Sequence, residues 1–164
     1  MIRKIIISSI IIANMFFSRD QATLNWESLS LEEKIGQMIM VRVNGDYYHS
    51  DSNYQKKIKK WISEYNVGGV ITFSGSIHGT FYNIKKFQSW SNIPLFVAAD
   101  YERGLGQWMD SATLFPSNMA IAATSDSNNA FAQGVIISSE AKRIGVNIIL
   151  APVLDINNNP DNPI

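Results

Sequence analysis

Short apolar runs alternate with longer amphipathic stretches along most of this chain. Strands are predicted at four places: 37–43, 70–73, 95–99 and 147–155. The segments between them carry apolar residues at helical spacing. One such stripe contains Tyr54, Ile58, Trp61, Ile62 and Tyr65. Strand and helix thus alternate, which predicts an α/β fold with parallel strands joined by right-handed crossovers.

Three further helices are predicted from capping residues and spacing. Ser30 and Glu33 fit a capping box, in which each side chain bonds the other residue's backbone. A second helix carries Phe81, Ile84 and Phe87 before Pro94. A third is capped near Asp126, and its apolar residues are Phe131, Val135, Ile137, Ala141 and Ile144.

The fourth predicted strand is as apolar as the third and has none of the features that protect an edge strand. An exposed edge of this kind favours aggregation unless more strands follow. We therefore interpret the fold as the first half of a (β/α)8 TIM-type barrel. The alternative is an open, doubly wound sheet.

The candidate chemistry begins where the third apolar run ends. Residues 95–99 predict a strand buried on both faces, and Asp100 follows them directly. Ligand-handling residues of α/β proteins usually lie at this end of a strand. Gly104 and Gly106 would let the next loop turn tightly and approach a ligand.

Composition excludes several classes of function. Fourteen basic residues balance fourteen acidic ones, so no global charge attracts nucleic acid or an anionic membrane. The absence of cysteine excludes disulfides, thiolate zinc sites and cysteine nucleophiles. His49 and His78 lack metal-ligand spacing, and we expect neither a metal nor another cofactor.

The first residues have a different character. Arg3 and Lys4 precede a largely apolar run over residues 5–17, which is typical of a secretory signal peptide. The run is short for a membrane span, which needs about 20 residues. Residues 1–22 are therefore predicted to be a signal peptide of an exported protein, periplasmic or secreted, with an uncleaved membrane anchor as the alternative.

Five blocks together resemble the N-terminal catalytic domain of glycoside hydrolase family 3. In chain order they are 29–38, 67–70, the Asp100-x-Glu102-x-Gly104 box, 115–120 and 151–155. The segment 104–106 is most similar to the branch of β-N-acetylhexosaminidases. Residues 27–164 are accordingly interpreted as part of such a barrel domain.

The resemblance implies an enzyme that hydrolyses terminal β-linked sugars with retention of configuration. Such enzymes need a nucleophilic carboxylate and a proton donor on either side of the scissile bond. In the family both come from segments later than the blocks present here. The resemblance therefore implies a truncated domain with no catalytic residue of its own, which we expect to be inactive by itself.

The resemblance also implies four substrate-binding residues. Asp100 matches the family aspartate that accepts hydrogen bonds from sugar hydroxyls, and Glu102 is interpreted as structural. Trp108 occupies the position where the family usually has a sugar-contacting arginine, for which Arg103 would compensate. Asp155, at the end of the fourth predicted strand, would line the site or support it.

These features favour part of an exported retaining β-glycosidase, most specifically a β-N-acetylhexosaminidase, acting on a carbohydrate with a terminal β-linked sugar. Two alternatives stay within the family: a β-glucosidase, and a barrel that only binds sugar. A third is an unrelated α/β module whose resemblance is accidental.

Overall fold

The computed structural model describes residues 25–155, 158, 159 and 161. The helices, apart from single 3₁₀ turns at Trp26–Ser28 and Leu105–Gln107, are α1 (Leu31–Gln37), α2 (Asn53–Ser63), α3 (Ile77–Trp90), α4 (Asn118–Ala123) and α5 (Ser127–Arg143). The strands are β1 (Met40–Gly45), β2 (Gly69–Gly75), β3 (Phe96–Ala99) and β4 (Ile148–Ile149). The predicted signal peptide, 1–22, lies outside the described residues.

The four strands form one parallel sheet in the order β1-β2-β3-β4. Each strand is added on the same side of the one before it. Because parallel crossovers are right-handed, this order places every connecting helix on the same face of the sheet. A doubly wound sheet would need a reversal of strand order, so that alternative is wrong. The half-barrel interpretation is confirmed.

Helix starts follow the local chemistry of the sequence. The capping box is present, with Glu33 N donating to Ser30 Oγ at 3.1 Å and Ser30 N donating to Glu33 Oε2 at 2.9 Å. Ser52 and Ser76 cap α2 and α3, each accepting from a backbone N–H three residues later. These caps satisfy donors that the first helical turn leaves unpaired.

The hydrophobic core lies between the helices and one face of the sheet. Strand residues at alternate positions enter it, among them Val43, Val70, Val97 and Ala99. The helices contribute Ile58, Ile62, Ile84, Phe87, Ile137 and Ala141 to the same cluster. One continuous core therefore joins α2, α3 and α5 to the sheet.

The opposite face of the sheet is only partly covered in the described part of the chain: Arg42 and Phe96 are exposed, whereas Ala98 is fully buried. Register places these residues on it: Met40, Arg42, Ile71, Phe73, Phe96, Ala98 and Ile148. Phe96 is 58% exposed there, although its strand neighbours are buried. The prediction that the third strand is buried on both faces is therefore wrong at this position. In a closed barrel the same face would be the interior.

The apolar side chains of the predicted helices are not all buried. Phe131 and Val135 of α5 are exposed, whereas Gln133 is buried beside Ile137. Tyr65 lies beyond the end of α2 and is also exposed. Apolar spacing identified each helix, but packing against the sheet selected the buried face.

Two strand predictions need correction. β1 begins at Met40 because residues up to Gln37 continue α1. β4 ends at Ile149, so Asp155 lies in the following loop and does not end a strand. Apolar residues continue past Ile149, but the pairing with β3 stops there.

Asn83 of α3 fixes the exit of β1. Its amide Nδ2 donates to the backbone carbonyls of Asn44 at 3.2 Å and Asp46 at 2.8 Å. Asn83 is only 6% exposed, so these two bonds replace the water it would otherwise bind. The chain segment leaving β1 is thereby anchored to a helix of the core.

Across the described residues, no helix combines the length and the apolar character that a bilayer crossing requires.

We expect the chain to self-associate through the open sheet face. Replacing Phe96 with serine should weaken this association, because the change removes the large aromatic group exposed there. Sedimentation velocity over a concentration series measures the effect. Tyr47→Ser is the matched control, since Tyr47 is 80% exposed but lies outside the strands. Equal association of both variants and the unsubstituted chain would show that the open face is not the contact.

Candidate functional site

The carboxyl ends of all four strands meet at one edge of the sheet, because the strands are parallel. Asp100 is the first residue after β3 and is half-buried at this edge. It lies two residues beyond Ala98, and alternation along the strand places it on the open face. Phe73 lies on the same face of β2, two residues beyond Ile71. The edge therefore presents a carboxylate above a partly apolar surface.

The loop after Asp100 folds back on itself. Gly106 N donates to Thr113 O at 2.9 Å, and Phe115 N donates to Arg103 O at 2.8 Å. Gly104 has φ 85°, and a Cβ there would lie 2.5 Å from Thr113 O. The two glycines were predicted to permit a tight turn and close approach to a ligand. The turn is present, but the close approach is to the returning backbone of the same loop.

Trp108 is tied to Asp100 by its indole. Trp108 Nε1 donates to the backbone carbonyl of Asp100 at 2.7 Å. Its ring meets Phe73 edge-to-face, with ring centroids 5.4 Å apart and planes at 83°. The indole N–H is thus occupied by the protein itself, and the ring connects the exits of β2 and β3. A further bond, from Gly75 N to Trp108 O at 3.3 Å, joins the same two exits.

Arg103 lies in the same loop, and its side chain reaches the returning segment of that loop at Phe115. Its Nε donates to Phe115 O at 3.3 Å, and its backbone N–H donates to Gln107 Oε1 at 3.1 Å. The side chain is exposed, so the remaining guanidinium donors are accessible to solvent. Glu102, interpreted as structural, receives a bond at its carbonyl from Gln133 Nε2 at 3.0 Å.

Asp155 lies in the loop after β4, so no strand positions it beside Asp100. It is exposed, and no hydrogen bond to it is found within the described residues. Of the four predicted binding residues, the structure directly connects Asp100 with Trp108. Arg103 belongs to the same loop and bonds to it through both its backbone N–H and its Nε.

A cavity of about 660 Å³ with a mixed polar and apolar lining adjoins Trp108 at this edge. Residues at or after the ends of three successive strands line it, among them Asp46, Ser74, Ser76, His78 and Asp110. Carboxylates and hydroxyls of this kind can exchange hydrogen bonds with a polyhydroxylated ligand. Among the described residues no group of three or more His, Cys, Asp or Glu side chains is arranged to hold a metal.

Arg42 and Phe73 belong to this region but were not identified from the sequence. The Arg42 guanidinium carbon lies 4.5 Å from the centroid of the Phe73 ring. A charged residue inside an otherwise apolar strand was the available signal. Which side chains Arg42 contacts depends on the register between β1 and β2, and the sequence did not provide that register.

Tyr101, the residue after Asp100, is fully buried. Burial raises the pKa of its hydroxyl well above the ordinary value, because the phenolate would lose its hydration. Within the described residues the hydroxyl has no hydrogen-bond partner. The Tyr101 side chain therefore holds the chain segment after β3 by packing, without a hydrogen bond from its hydroxyl to a described residue.

The fold and the polar residues at the carboxyl edge of the sheet together define a class of protein. A singly wound parallel sheet with helices on one face and polar residues at the carboxyl ends of its strands is typical of TIM-type barrels. The family described as glycosyl hydrolase family 3 N terminal domain matches residues 30–164. The chain belongs to glycoside hydrolase family 3, which confirms the resemblance and excludes the unrelated α/β module.

Two curated relatives match most of this chain. A beta-N-acetylglucosaminidase/beta-glucosidase of Cellulomonas fimi is 31% identical over 153 residues, covering 90% of the chain and 26% of that protein. Beta-hexosaminidase A of Pseudoalteromonas piscicida is 29% identical, covering 91% of the chain and 29% of that protein. The chain thus spans less than a third of the length of either relative.

Two solved structures share the fold. The beta-glucoside phosphorylase BglX bound to 2FGlc superimposes with a TM-score of 0.73 at 30% identity, covering 84% of this chain and 24% of that one. NagZ from Neisseria gonorrhoeae superimposes with a TM-score of 0.55 at 18% identity, covering 72% and 37%. The second likeness concerns the fold alone.

We expect Tyr101→Phe to unfold with a free energy at pH 7 equal to or above that of the unsubstituted chain. The change removes a buried hydroxyl that has no partner among the described residues. Chemical denaturation followed by circular dichroism measures the difference. A loss of more than about 1 kcal/mol would mean that the hydroxyl is hydrogen-bonded.

The same variant should differ in its response to pH. The unfolded tyrosine releases its proton near pH 10, whereas the buried one retains it to higher pH. The folded state then binds more protons, so stability present below about pH 10 falls as the pH rises further. Tyr101→Phe lacks this contribution and should lose less stability between pH 9 and pH 11. Parallel losses in the two proteins would contradict the raised pKa.

Proposed function

We propose that this chain forms the sugar-binding part of a retaining β-glycosidase active site. Asp100, at the carboxyl end of β3, binds hydroxyls of a terminal β-linked sugar. The carboxyl groups that break the glycosidic bond come from segments other than residues 1–164. The observation that carries the proposal is the position of Asp100 at the edge where TIM-type barrels place their active sites.

The surroundings of Asp100 support a role in binding. Its backbone carbonyl is fixed by Trp108 Nε1, so the carboxylate extends from a restrained main chain. No hydrogen bond to the carboxylate is found among the described residues, which leaves its oxygens available to donors. A carboxylate accepts two sugar hydroxyls readily, and each charged hydrogen bond contributes about 1.5–3 kcal/mol.

The proposed sugar is a β-linked N-acetylhexosamine. Both curated relatives carry names that refer to hexosaminidase or N-acetylglucosaminidase activity. A glucoside is the second candidate, because the Cellulomonas fimi relative is also named a beta-glucosidase and BglX is named a beta-glucoside phosphorylase. The binding-only barrel remains an outcome of the experiments below.

We expect the chain to bind N-acetylglucosamine and methyl β-glucoside weakly, and Asp100→Asn to weaken that binding by at least about tenfold. The amide keeps the size of the side chain but removes the charge that strengthens its hydrogen bonds. Saturation-transfer difference NMR detects the bound sugar, and a titration gives the dissociation constant. Asp126→Asn is not suitable as a control because Asp126 caps α5.

The matched control is Asp51→Asn. Asp51 is an exposed aspartate in the loop before α2, and its substitution changes the charge by the same amount. Binding that is lost in Asp100→Asn and retained in Asp51→Asn supports the proposal. Equal binding by both variants would remove Asp100 from the site, and no binding by the unsubstituted chain would reject the sugar-binding function.

We expect the 164-residue chain to show no turnover of an aryl β-N-acetylglucosaminide or an aryl β-glucoside. A retaining mechanism needs a nucleophile and a proton donor, and the resemblance assigns neither to these residues. Release of the aryl alcohol is followed with and without inorganic phosphate, since phosphorolysis is the reaction in the name of BglX. Turnover abolished by Asp100→Asn would show that this chain already contains a complete catalytic site.

A further inference from the structure

We propose that Arg42 of β1 is a second substrate-binding residue, whose guanidinium donates hydrogen bonds to oxygens of the sugar that Asp100 holds. The inference deepens the proposed function and rests on it. It adds to the Asp100 carboxylate, which accepts hydrogen bonds, a cationic donor from a different strand. The ligand class is a neutral pyranose with adjacent oxygens.

The sheet register places Arg42 and Asp100 on the same surface. Arg42 pairs with Ile71 of β2, and Ile71 pairs with Ala98 of β3. Side chains paired in this way point to the same face. Asp100 follows Ala98 by two residues and keeps that face. The long arginine side chain can span this offset toward the carboxyl edge of the sheet.

Contacts confirm that the guanidinium extends toward this edge. Its carbon lies 4.5 Å from the centroid of Phe73, which is two residues further along β2 than the register partner of Arg42. Phe73 contacts the indole of Trp108, and that indole is bonded to the carbonyl of Asp100. A continuous series of contacts therefore connects Arg42 to the Asp100 backbone.

The charge of Arg42 is not used within the described part of the chain. No carboxylate lies within 4.0 Å of it there, and its guanidinium makes no hydrogen bond to a described residue. The Phe73 ring attracts the cation and covers one side of it, but does not occupy the N–H donors in the guanidinium plane. Arg42 is exposed, so these donors can reach a ligand.

The two charged side chains are chemically complementary to a sugar. Ionised Asp100 can only accept hydrogen bonds, and Arg42 can only donate them. Each hydroxyl of a pyranose can do both, and neighbouring oxygens match the fork of a guanidinium. A lysine at position 42 would keep the charge but lose the planar fork.

The experiment compares Arg42→Gln, Arg42→Lys and Arg143→Gln in the full chain. Titrations with N-acetylglucosamine and methyl β-glucoside, observed by saturation-transfer difference NMR, give the dissociation constants. We expect Arg42→Gln to weaken binding of at least one sugar by about tenfold or more, and Arg42→Lys to restore it only partly. Arg143 is exposed in the last turn of α5, so Arg143→Gln should bind as the unsubstituted chain does.

Two readouts distinguish loss of the fold, failure of this inference and failure of the proposed function. Circular dichroism and thermal melting should be unchanged in Arg42→Gln, because the side chain is exposed. Binding by Arg42→Gln equal to that of Arg143→Gln, with Asp100→Asn still impaired, overturns this inference and leaves the proposed function intact. No binding by the unsubstituted chain overturns both. Full restoration by Arg42→Lys would assign the effect to charge alone and reject the forked contact.

Discussion

Strand order is the constraint on which the rest of this structure depends. Four parallel strands are added in one direction, so right-handed crossovers place all connecting helices on one face. One face thus acquires a continuous hydrophobic core, and the other is only partly covered in the described residues. The same constraint brings every strand exit to a single edge. Fold, exposed surface and candidate site are consequences of one topological fact.

The candidate site depends on coupling between neighbouring exits. The Trp108 indole bonds the carbonyl of Asp100 and packs against Phe73, while Gly75 N bonds the carbonyl of Trp108. Asn83 anchors the exit of β1 from the helical side. These contacts order three loops without occupying the Asp100 carboxylate. An acceptor group on a restrained backbone is well suited to orient a polar ligand.

Much of this arrangement could be predicted from local patterns. The capping box at Ser30 identified the start of α1. The apolar run before Asp100 identified β3 and the position where it ends. Five ordered blocks identified the family, and the family profile over residues 30–164 confirmed it. Predictions failed where a side chain's environment depends on distant partners. Phe131 is exposed despite its spacing, and Asp155 lies beyond β4 because pairing with β3 stops at Ile149.

The sequence by itself determined the alternation of strands and helices, the helix caps and the position of Asp100 after an apolar strand, because these depend on residues close together in the chain. Tertiary structure alone decided that Trp108 bonds Asp100 through its indole and that Arg42 covers Phe73. Both contacts depend on strand register or loop closure. Register is set by how whole faces pack against the core, and no local spacing contains that information.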